Sequence, residues 1–154
     1  MITKLEEFNW RTKGFVVLKN ILEPELIQKS KELIEKKYNL ENPPHNDFGS
    51  IKEEFEFPTG KILDKITLHS KIIEIVSKLL KTDDIFLTQS DAWSKIGSDN
   101  LSAQSNTNQR IHMDFGNHSF LHVNDWDNPE VVTMIVYLSD TNDTGVPLCQ
   151  RSNL

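Results

Sequence analysis

A chain of 154 residues is long enough to bury the core of one domain without disulfide or metal staples. Its net charge of −6, with no Lys/Arg cluster interleaved with aromatics, excludes nucleic acid as an expected partner. The 37% apolar and 26% charged residues exclude a disordered tail, a lone cysteine (Cys149) excludes a disulfide framework or a cysteine zinc site, and no run approaches a membrane span or a secretory h-region, so a cytoplasmic protein without membrane contact is expected.

Leu5 to Lys13 predicts a short amphipathic helix ending before Gly14, with Leu5 and Phe8 facing inward and Trp10 a further candidate. Phe15 to Leu18 reads as a short buried strand after a glycine. Pro24 suits a first helical turn, the flanking Glu23 and Glu25 complement the helix dipole, and Leu26, Ile27, Leu33 and Ile34 repeat on one face, predicting a helix from about 24 to 38. Lys29, Lys31, Lys36 and Lys37 alternate there with Glu32 and Glu35, the pattern of a solvated face. Asn39 to Pro58 reads as a long polar loop.

Ser70 is placed as N-cap of a buried helix carrying Ile72, Ile73, Ile75, Val76, Leu79 and Leu80 and stopping near Thr82 to Asp84. Ile85 to Thr88 and Ala92 to Ile96 read as strands, Gly97 to Asn108 as a loop, and Gln109 to Phe115 as a further strand. Val131 to Leu138 is the most apolar run and, being rich in β-branched residues, is expected as a strand buried on both faces. Helices first and strands second predict an α+β fold.

The stretch with chemistry is Gln109 to Phe115, which sets His112 and Asp114 two residues apart. In a strand both side chains leave the same face about 7 Å apart and can converge on one cation. An imidazole and a carboxylate are two of the three donors of the facial triad that holds non-haem Fe(II) with positions left open. His118 and His122 share the parity of that pair, although Gly116-Asn117 is expected to break the register. His45 and His69 read as loop and helix-boundary residues, Trp93 and Trp126 as core or loop anchors, and Cys149 as unreactive.

Gly14 to Glu25, a strand followed by a helix opened by proline and glutamate, resembles the N-terminal signature of the phytanoyl-CoA dioxygenase family. Gln109 to Asp114, the run Val131 to Asp140 and the turn to Gly145 are similar to that family's His-x-Asp strand, following strand and glycine-containing turn. The resemblance covers about residues 10 to 145. It implies a Fe(II) and 2-oxoglutarate-dependent dioxygenase acting on a small organic substrate, with N-terminal helices packed on the first strands of a double-stranded β-helix (jelly-roll). His112 and Asp114 take the metal-ligand positions, and Lys95 is a candidate contact for the anionic cosubstrate.

The family's third ligand, a histidine, and its 2-oxoglutarate-binding arginine lie downstream, whereas here no histidine follows His122 and the only later arginine is Arg151. The resemblance therefore implies a single domain over 1–154 that is a dioxygenase domain truncated at its C-terminus, without turnover of its own and with unpaired sheet edges open to self-association. From Val146 the family's pattern is lost, and a natural end, a fragment and a shifted reading frame remain open. Two other readings remain open as well: a non-catalytic binding or structural module, and a small divalent-metal-binding protein using His112, Asp114 and a nearby histidine.

Overall fold

The computed structural model describes residues 2–37, 55–92 and 131–140. These residues form four helices in chain order: α1 (Lys4–Lys13), α2 (Pro24–Glu35), α3 (Asp64–Thr67) and α4 (Ser70–Leu80).

A reciprocal capping box starts α1. Glu6 N–H donates to Thr3 Oγ1 at 3.2 Å, while Thr3 N–H and the Thr3 hydroxyl both donate to Glu6 Oε2 at 2.7 Å. Those bonds hold the Glu6 carboxyl below its usual range, the Thr3 backbone amide contributing most. Gly14, at φ 82°, ends the helix in the left-handed region that favours glycine, and its N–H reaches Trp10 C=O at 2.9 Å. Pro24 is the first residue of α2, where its missing N–H costs nothing. On the outer face of α2, Lys29 pairs with Glu25 at 2.6 Å and Lys31 with Glu35 at 3.6 Å, one turn apart in each case. His69, not Ser70, occupies the N-cap position of α4.

Two apolar clusters form the core. Ile75 and Leu79, one turn apart on α4, meet Ile2, and Trp10, Val16, Leu18, Ile21 and Val132 pack around them. Ile34 near the end of α2 meets Phe55 and Leu63, with Leu33, Ala92 and Leu138 against them. Phe55 and Ile75 are each only 1% exposed. Burying a side chain of that size contributes about 1.5–3 kcal/mol.

Of the three residues expected to face inward on α1, Trp10 does and Leu5 and Phe8 do not. Leu5 is 67% and Phe8 61% exposed, while Trp10 is the residue turned to the core. Phe8 and Trp10 are two residues apart, about 200° around a helix, so they cannot share a face. The larger ring takes the interior, with the Arg11 guanidinium 5.4 Å from its centroid.

The expected α+β fold, with helices on the first strands of a double-stranded β-helix, is overturned: among the described residues there are helices and no strand. Phe15 to Leu18, Ile85 to Ala92 and Val131 to Leu138 adopt no regular secondary structure. In two of these segments a period-two pattern is nonetheless used. Val16 and Leu18 pack inward while Val17 faces out, and Val136 and Leu138 are half-buried while Ile135 and Tyr137 are exposed. Such alternation reports which side chains meet the core, and a strand needs a backbone ladder as well. Val131 to Leu138 is thus not buried on both faces, and Phe86, in the segment expected as a strand, is 84% exposed. Sheet edges for self-association are likewise absent among the described residues. Residues 93–96, Gln109 to Phe115 and most of the Asn39 to Pro58 loop lie outside them.

Candidate functional site

Lys95, His112 and Asp114, the expected cosubstrate contact and metal ligands, lie outside the described residues, as do His118 and His122. Among the described residues no group of three or more histidine, cysteine or acidic side chains is placed to hold a metal ion. No helix among them is long and apolar enough to cross a membrane.

A polar constellation joins the starts of α2 and α4, and its partners are far apart in sequence. Glu23, at the N-cap position of α2, makes no capping bond with its side chain. Its carboxylate turns instead to α4, where Oε2 lies 3.0 Å from His69 Nε2 and Oε1 accepts from Lys71 Nζ at 3.3 Å. The Lys71 ammonium also donates to Ile21 C=O at 3.0 Å. A bond from its own backbone amide, then those from His69 and Lys71, hold the Glu23 carboxyl down to about 2. The carboxylate is therefore ionised, and His69 Nε2 must carry the proton that faces it.

His69 Nδ1 is buried with no hydrogen-bond partner in the structure. One ring nitrogen is thus committed to Glu23 and the other is shielded. Through its Nε2 bond to Glu23, His69 links the starts of α2 and α4, so this cluster acts as a clasp between two helix starts. The sequence reading places His69 at a helix boundary, where it lies, but the 46-residue separation from Glu23 leaves the pairing without a local signal.

A second carboxylate organises the turn before α3. Asp64 accepts from Thr59 N–H at 2.8 Å, the Thr59 hydroxyl at 2.7 Å and Gly60 N–H at 2.8 Å. Burial pushes the Asp64 carboxyl up, but those three donors outweigh it and the net direction is down. Gly60, at φ 66°, sits in the left-handed region, which lets the turn present its amide. The bonds shown at both carboxylates come from the chain itself.

Beside α4, an open groove is lined by Leu68 and Ile73 together with Glu74, Lys78, Lys81 and Asp83. Its charges are mixed, and the Lys78 ammonium already donates to Ile2 C=O at 2.7 Å, which ties α4 to the N-terminal arm. Within α2, Ser30 is fully buried and its hydroxyl has no hydrogen-bond partner in the structure. Neither feature assembles convergent donors and acceptors around a reacting group.

No family model, curated protein or solved structure matches this chain.

Proposed function

We propose that this chain carries part of a non-haem Fe(II) and 2-oxoglutarate-dependent dioxygenase site for a small organic substrate, with His112 and Asp114 as metal ligands and Lys95 as a cosubstrate contact. The observation that carries the reading is the pairing of an imidazole and a carboxylate two residues apart within Gln109 to Phe115, downstream of the Gly14 to Glu25 signature in the order the resembled family uses. The donor set suits Fe(II): a neutral nitrogen and a hard anionic oxygen, two of the three donors of a facial triad. When bound, iron would supply dioxygen activation coupled to oxidative decarboxylation of 2-oxoglutarate. The Asp114 carboxylate would offset part of the metal charge, His112 would contribute a lone pair, and the Lys95 ammonium would balance the cosubstrate's negative charge.

A second reading is a divalent-metal-binding module without turnover, in which His112 and Asp114 together with His118 or His122 would hold the ion. Calorimetric titration with Fe(II) under anaerobic conditions, alongside a succinate assay, tests both readings. Metal binding that falls at least tenfold in Asp114→Ala is expected, since loss of even a supporting partner costs about 10–100-fold in affinity. Unchanged affinity in Asp114→Ala and His112→Ala overturns the ligand assignment. Chelator-sensitive succinate release supports the dioxygenase, and binding without succinate supports the module.

A further inference from the structure

We draw no further inference here: the strongest candidate, the exposed apolar surface of segment 131–140 at Ile135 and Tyr137, carries nothing because nothing in the structure shows what covers it.

Discussion

The cluster around Ile75 and the cluster around Ile34 are built from different kinds of chain. Ile75 and Leu79 form a helical stripe covered by one continuous arm, with Ile2, Trp10, Val16, Leu18 and Ile21 all coming from the first 21 residues. Ile34 instead meets Phe55 and Leu63, neither of which lies within α1 to α4, and Ala92 from a later segment. The first cluster follows from helical periodicity and chain continuity, whereas the second depends on a residue delivered from the end of a polar stretch. Two devices join them. One is the Glu23 clasp between the starts of α2 and α4, and the other is the segment 131–140, which places Val132 on the first cluster and Leu138 on the second.

The sharpest way to break this contrast is to empty each cluster in turn. Phe55→Ala should cost about 3–5 kcal/mol and Ile75→Ala about 2–5 kcal/mol in chemical denaturation, as fully buried side chains lost to cavities. Both variants should keep a single transition. A biphasic curve in either would mean that the clusters unfold independently and that the joining devices are weak.

The bridging segment can be probed more gently. Val132→Ala and Leu138→Ala each remove a half-buried side chain and should cost about 1–2 kcal/mol. Because they touch different clusters, the double variant should equal the sum within about 0.5 kcal/mol. A coupling energy well above that would show the two clusters behaving as one.

The clasp is a matter of pH. Glu23 is held down to about 2 from an ordinary 4.5, so its contribution is fully present above the ordinary value and is lost as pH falls towards 2. Glu23→Gln should therefore be less stable than wild type at neutral pH, and the gap should close on acidification. Denaturation midpoints of the two proteins across that window provide the check, and a gap that stays constant would remove Glu23 from the acid response.

The smallest effect is expected on the outward face of α1. Leu5→Gln and Phe8→Gln should each change stability by no more than about 0.5 kcal/mol, as exposed sites usually do. A loss beyond about 1 kcal/mol in thermal or chemical unfolding would return those side chains to the core.

Helix existence was legible because propensity, capping and apolar spacing agree. Pro24 opens α2, Gly14 closes α1, and Ile75 and Leu79 share a stripe on α4. The face of α1 was not legible: its three large apolar residues point two ways, and only the rest of the fold chooses between them. Helix α3, four residues after the Asp64-bound turn, is too short for periodicity to register. Phe55 gave no sign of its importance, since two phenylalanines, Phe55 and Phe57, among Glu53, Glu54 and Glu56 in a polar stretch read as loop, yet Phe55 packs inward with Lys61 Nζ 5.2 Å from its ring centroid. Phe15 to Leu18 and Val131 to Leu138 are not strands for one shared reason: alternating apolar residues specify an apolar face, which helices can cover as well as a sheet can. Of the candidate site, only the residue types and spacing at His112 and Asp114 were legible, because a third donor comes from tertiary convergence that local sequence does not encode.

Val132 packs on a cluster that includes Ile2, so residues 130 positions apart close the same core. Bringing such distant points together spends chain entropy before any contact rewards it, and proteins dominated by such contacts fold slowly. During synthesis α1, α2 and α4 are complete when residue 80 has been added, but Val132 and Leu138 arrive only some fifty residues later. For that interval the parts of both apolar clusters that Val132 and Leu138 meet are without that cover, and the order of synthesis makes segment 131–140 the last of the described segments to close them.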